Sequence, residues 1–245
     1  MIEITFPDGA SRSYEINSTP FDIANSISEG LSRNVISASF NGNTIETTTQ
    51  LKENGKLIFY TWNEQEGKKA FWHSSAHVLA QVLEELYSGI KLTIGPAISN
   101  GFYYDVDFGN HTMSEKDFPK IEKRMIEISR EKHLFKLKSI SKKEALDFYK
   151  NHKNEYKIEL IENLEDGTIS FCNHDNFTDL CRGGHLPNTG FIKAVKLLSV
   201  AGAYWRADQS KTQLTRVYGI SFPKQKELNE YLELIEEAKK RDHRK

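Results

Sequence analysis

Two short stretches carry residue types that do chemistry. FWHSSAHVLAQ at 71–81 places His73 and His77 four apart, and TDLCRGGHLPN at 178–188 places Cys181 and His185 four apart. Together they supply three imidazoles and one thiol. That set is a legitimate tetrahedral zinc site. It is equally a Cys–His nucleophile pair with further imidazoles as base and orienter, or a metal-free pocket in which imidazoles position water. Spacing alone does not choose among the three.

The elements that would hold these residues are legible from pattern. At about 100° per residue, Phe71, Ala76, Val78, Leu79, Val82, Leu83 and Leu86 share one broad stripe of a helix over 70–87, and His73 and His77 lie on its far side. Ser74, Ser75 and Ala76 are small enough to let another segment approach closely. The paired glycines Gly183 and Gly184 exclude a helix at CRGGH and predict a loop presenting Cys181, Arg182 and His185.

The surroundings divide the chain into a domain at 1–62, a domain at 63–224 and a terminal helix at 225–245. In the first, IEITF, PDGA and SRSYEI read as a hairpin, and Ser18 or Thr19 with Pro20 opens a helix. VISASFNGNTIETT is a second hairpin and KLIFYT a last strand, so a small sheet should grasp one helix. NEQEGKK (63–69) reads as the linker. Beyond it, NGFYYDVDF, YKIELIE (156–162), TISFCNH and FIKAVKLLSVAGAYW read as strands. Ser114 with Asp117 and Ser141 with Glu144 carry capping-box spacing ahead of helices. The expected fold class is α+β.

Bulk properties narrow the function. No apolar run reaches the roughly 18–20 residues a membrane span needs, and MIEITFPDG lacks the layout of a secretion signal. With two cysteines, Cys172 and Cys181, a disulfide framework is excluded, so a reducing, cytoplasmic setting is expected. A net charge of −1 leaves nucleic-acid binding to local patches.

HSSAHVLAQ, IGPAISNGFYYDVDF, DLCRGGHLPNTG and AGAYWRADQ, in that order, closely resemble the editing domain of bacterial threonyl-tRNA synthetases. Residues 1–62 resemble the TGS domain, a β-grasp module, that precedes it in that family, and AKKRDHRK resembles the linker helix leading to the catalytic domain. The resemblance implies an N-terminal fragment of a longer synthetase that hydrolyses mischarged seryl-tRNA(Thr). One missing methyl is worth only about 1–3 kcal/mol to a threonine-shaped pocket, so a second, hydrolytic sieve is needed.

It also implies roles. His73 would contact the ribose of the terminal adenosine. Lys157 and His185 would hold and activate water, and Asp179 would take the substrate's ammonium. His77, Tyr104 and Cys181 would line the side-chain pocket. Lys196, Arg206 and Arg216 are candidate contacts to the acceptor end of tRNA(Thr), with Lys193 and Lys211 nearby.

No metal is expected in the editing site, although the related alanyl editing domains bind zinc with the same spacing. Zinc, ATP and magnesium would serve a catalytic domain, and the full-length enzyme would be a homodimer through domains other than these. Rival readings are a free-standing, zinc-dependent alanyl-type hydrolase and a non-catalytic RNA-binding or regulatory module. Two departures from the family wording stand out: Gly184 replaces a common proline in RGPH, and Ala207 replaces the glycine of WRGD.

Overall fold

The computed structural model describes residues 1–242. The first domain holds strands β1 (Ile2–Thr5), β2 (Ser11–Tyr14), β3 (Ser37–Phe40), β4 (Asn43–Ile45) and β5 (Gly55–Tyr60), with helices α1 (Pro20–Ile27) and α2 (Glu29–Asn34) between β2 and β3. The sheet order is β2-β1-β5-β3-β4, with β1 and β5 parallel and the other pairs antiparallel. The turns use the expected chemistry. Asn41 (φ 49°) and Gly42 (φ 85°) both occupy the left-handed region that a two-residue hairpin requires. Thr19 and Asp22 cap α1 reciprocally, and Ile23 packs with Ile2, Ile4, Ala38 and Leu57 in the core. The α2 turn is an addition to the expected single helix.

The long helix α3 (Gln65–Leu86) then begins inside the segment read as a linker. Gly67 explains why the turn is tight and still helical: a Cβ there would lie 1.8 Å from the Thr61 carbonyl oxygen. Glu64 fastens the same corner, accepting hydrogen bonds from Thr61 N–H (2.6 Å) and Oγ1–H (2.8 Å).

The second domain continues with β6 (Lys91–Leu92), β7 (Ala97–Ile98), β8 (Gly101–Asp107), α4 (Phe118–Glu131), β9 (Lys136–Ser139), α5 (Lys142–Asn151) and α6 (Glu155–Glu162). It ends with β10 (Ser170–His174), β11 (Phe177–Leu180), β12 (Ala194–Tyr204), β13 (Gln213–Phe222) and α7 (Gln225–Asp242). An antiparallel sheet, β12-β13-β8-β6 with β7 on β8, receives the apolar face of α3 and of α4. A three-stranded sheet, β11-β10-β9, packs its Phe171 with Ala145 and Tyr149 of α5 and Ile161 of α6.

Two expectations are corrected. YKIELIE is helical, not a strand: Asn154 caps α6 by accepting from Lys157 N–H at 3.1 Å, and Tyr156, Lys157 and Ile161 turn inward. Residues 243–245 of the expected terminal helix lie outside the described residues. Within them α7 lays Leu228, Tyr231 and Leu232 against the main core, and no helix is long and apolar enough to cross a membrane.

The Ala207 departure has a backbone cost. Arg206 (φ 53°) and Ala207 (φ 56°) are both left-handed, a region that costs a side-chain-bearing residue about 1–2 kcal/mol. Ala207→Gly should stabilise the protein by about 1 kcal/mol, raising the melting temperature by roughly 2–4 °C. A lower melting temperature in calorimetry would contradict this.

Candidate active site

The loop after β11 closes over the far side of α3. It is held there by Leu186 N–H donating to Ser74 Oγ (2.8 Å), while Ser74 in turn donates to the Ala70 carbonyl. The small residues of HSSAH therefore serve close approach. The face opposite the apolar stripe is covered rather than solvated: His77 is 3% exposed.

This closure makes Cys181 the meeting point of three rings. His73 Nε2 lies 2.9 Å from its sulfur, His185 Nε2 3.1 Å and His77 Nε2 3.4 Å. Burial opposes ionisation of the Cys181 thiol. The charge of His77 and hydrogen bonds from His185, His73 and His77 outweigh it, holding the thiol well below its ordinary range. His77 and His185 respond in kind. Burial would lower both, but the Cys181 charge and Asp179 raise His77, and hydrogen bonds to Cys172, Cys181 and Glu46 raise His185 further. His73 moves down, chiefly through burial, so its imidazole is neutral near pH 7.

Beside this cluster sits a second one, centred on Asp179 of β11. Lys157 Nζ contacts Oδ1 at 2.5 Å, Tyr104 O–H donates to Oδ2 at 2.6 Å, and Tyr149 O–H reaches Oδ1 at 3.4 Å. His77 Nδ1 lies 3.2 Å from Oδ2 as an ion-pair contact without hydrogen-bond alignment. Burial alone would raise the Asp179 carboxyl, but the Lys157 charge and the His77 contact depress it.

The two clusters open onto one cleft of ≈ 680 Å³. His73, His77, Lys157, Asp179 and Cys181 line it together with Ile94, Leu160, Leu164 and Ile169. The lining thus combines a few polar and charged groups with apolar side chains, the usual composition of a small-ligand site.

The geometry places the expected residues as follows. Asp179 already accepts hydrogen bonds from Lys157, Tyr104 and Tyr149 and faces His77, which leaves it little acceptor capacity for a substrate ammonium. His185 is fully buried behind Cys181, between Phe135 and the His73 ring, and is not part of the cleft wall. Tyr104 stands one layer back, packed where Gly95 leaves room: a Cβ on Gly95 would meet its ring at 2.2 Å. The candidate RNA contacts are each engaged with an acid. Lys196 is 3.2 Å from Glu122, Arg206 2.7 Å from Glu159, and Arg216 grips Asp105 at 2.7 and 2.8 Å over the Tyr103 ring.

Two residues escaped the sequence reading. Tyr149 of α5 packs in the smaller core while its hydroxyl accepts from Leu180 N–H at 2.8 Å and reaches Asp179. Glu46 belongs to the first domain, 139 positions from His185. No spacing rule connects them. Gly184, with φ 83°, adopts a conformation closed to proline, so this loop departs in path as well as wording from RGPH.

The donor set fits a metal. His73, His77, Cys181 and His185 can each offer one atom with all four within 4.8 Å of one another. Carboxylates stand behind His77 and His185, as they do behind metal-bound imidazoles.

Comparison with known proteins agrees with this architecture. Residues 2–61 match the TGS domain, and residues 169–218 match the threonyl and alanyl tRNA synthetase second additional domain. The chain is 66% identical over all 245 residues to a threonine–tRNA ligase of Flavobacterium psychrophilum, 67% to that of Flavobacterium johnsoniae and 55% to that of Cytophaga hutchinsonii. The chain aligns along its whole length with the N-terminal region of these relatives and spans 38% of their length.

The two cysteines should differ sharply toward iodoacetamide. Cys181, its thiol held well below the ordinary range, should react readily near neutral pH and lose reactivity as pH falls through its lowered value. Cys172 is pushed up to about 11, chiefly by burial, and stays protected. Peptide mapping should find alkylation at Cys181 alone; equal labelling of both would contradict the electrostatics.

Proposed function

We propose that the cleft hydrolyses the ester of a mischarged aminoacyl-tRNA, with seryl-tRNA(Thr) as substrate. The observation that supports this most is the convergence of His73, His77, Cys181 and the Lys157–Asp179 pair on one cleft, in a chain similar along its whole length to threonine–tRNA ligases. Water adds to the ester carbonyl, the bond to the ribose oxygen breaks, and the departing oxygen takes a proton.

Neutral His73 is the base in this proposal. With the Cys181 sulfur ionised, His73 keeps its proton on Nε2 toward that sulfur and offers Nδ1 as the acceptor. Lys157, pinned by Asp179, presents its ammonium to the cleft, where it holds the water or the developing oxyanion. His185 acts from behind, through Cys181. The acceptor end of tRNA(Thr) is the partner this proposal implies. Threonine ligation, with its ATP, magnesium, zinc and homodimer, is proposed only for a protein that joins this region to a ligase domain.

A second reading is favoured by the four converging donors: zinc held by His73, His77, Cys181 and His185. Bound zinc would supply Lewis-acid chemistry. Four protein ligands, however, close the tetrahedron and leave no position for water, which suits a structural rather than a catalytic ion. The metal-free reading is therefore preferred for the reaction.

Purified chain should release serine from seryl-tRNA(Thr) and leave threonyl-tRNA(Thr) intact. His73→Ala and Lys157→Ala should each lower the single-turnover rate by about 10²–10⁴-fold. Full activity in either variant would remove that residue from the mechanism. Activity should also survive exhaustive chelation; loss with chelator and recovery with stoichiometric zinc would establish the second reading instead.

A further inference from the structure

The loop that carries Cys181 and His185 is held from an unexpected direction. Glu46 follows β4 of the first domain, and its side chain crosses into the second. Its Oε1 accepts from Gly184 N–H at 3.1 Å and from His185 Nδ1 at 2.9 Å, and its Oε2 accepts from His185 N–H at 3.2 Å. The residue is 8% exposed. One buried carboxylate therefore collects three donors from two consecutive residues of the loop.

A bond from Nδ1–H decides which ring nitrogen faces the site. With Nδ1 donating to Glu46, Nε2 is the atom that meets the Cys181 sulfur at 3.1 Å. The ring is also clamped on both faces: Phe135 lies 5.6 Å away at 9° and His73 4.9 Å away at 23°. His185 can neither flip nor swing without losing the carboxylate.

The loop itself is shaped for this contact. Gly183 (φ 99°) and Gly184 (φ 83°) are both left-handed, which aims the two successive N–H groups of Gly184 and His185 at the Glu46 carboxylate. A proline at 184 would have neither the angle nor the N–H. Thr44, two residues before Glu46, lines the same cleft and sits 3.7 Å from where a Cβ on Gly184 would be.

We propose that Glu46 is a positioning residue of the hydrolytic cleft, supplied by the TGS domain, that fixes His185 with Nε2 toward Cys181 and holds the glycine loop against α3. The site is then completed by two domains. The first is a structural half of the chemistry, whatever else it binds. This rests on the hydrolytic reading above for its kinetic consequence, but not for its geometric one.

Glu46→Gln keeps the side chain's length and removes the charge, leaving one acceptor oxygen for three donors. In the intact chain it should lower the single-turnover rate of seryl-tRNA deacylation by about 10–100-fold, the size of loss seen when the carboxylate behind a metal-bound imidazole is removed. The substrate concentration for half-maximal rate should change much less, and the melting temperature should stay within a few degrees. Glu46→Asp should recover part of the rate. Because Glu46 acts through His185, adding Glu46→Gln to His185→Ala should cause no further loss.

Histidine ring nitrogen NMR gives a readout that needs no substrate. Wild-type His185 should show a protonated, hydrogen-bonded Nδ1, and Glu46→Gln should shift that signal while sparing His174. A Glu46→Gln chain with wild-type rate and an unshifted His185 signal would overturn the proposal. So would an equal loss in the His185→Ala background, which would make Glu46 a mere tie between domains. If wild-type chain deacylates nothing, the hydrolytic reading fails, and the NMR comparison still decides whether Glu46 orients His185.

Discussion

The structure is organised around a nearly buried carboxylate at the wall of the cleft. Asp179, 3% exposed, is bound by Lys157 of α6, Tyr104 of β8, Tyr149 of α5 and His77 of α3. An isolated buried carboxylate is untenable, and so is an isolated buried ammonium, so each of these elements must be in place for the others to be. The three-stranded sheet, the two short helices and the long helix meet there. Their alignment in turn sets where the loop after β11 leaves the sheet.

That exit point carries Cys181 over α3 into its ring of imidazoles. The sulfur and the carboxylate share His77, whose Nε2 faces one and whose Nδ1 faces the other. Charge is thereby balanced across the site: an anion at 179 with its lysine, an anion at 181 with its imidazoles. His73, the one member of the cluster that is only partly buried, stays neutral and free to accept a proton. Such a layout separates acid-base function from charge storage, which a cleft acting on an ester near neutral pH requires.

Local signals were legible in the sequence; the long-range ones were not. Ser114 with Asp117 and Ser141 with Glu144 form the capping boxes that spacing predicted, because the bonds span three residues. The position of His73 and His77 opposite the apolar stripe was correct, and the cover over them was suggested by the small residues between. YKIELIE misled because Tyr156, Ile158 and Leu160 alternate with polar residues as in a strand, whereas Asn154 upstream is the cap that decides for a helix. Lys157 owed its selection to family resemblance, and its burial against Asp179 has no signature in spacing. Glu46 was invisible for the same reason, lying in another domain.

The claim that one buried ion pair organises the site is tested most directly by a double-mutant cycle on stability. Wild type, Asp179→Asn, Lys157→Met and the double variant would be unfolded in urea. Each single change strands a buried charge or polar group and should cost about 3–5 kcal/mol. The double variant should cost well below the sum, a coupling beyond the usual 0.3–0.5 kcal/mol scatter of independent sites. Two single costs that simply add would show that Asp179 and Lys157 do not depend on one another, and would contradict the account.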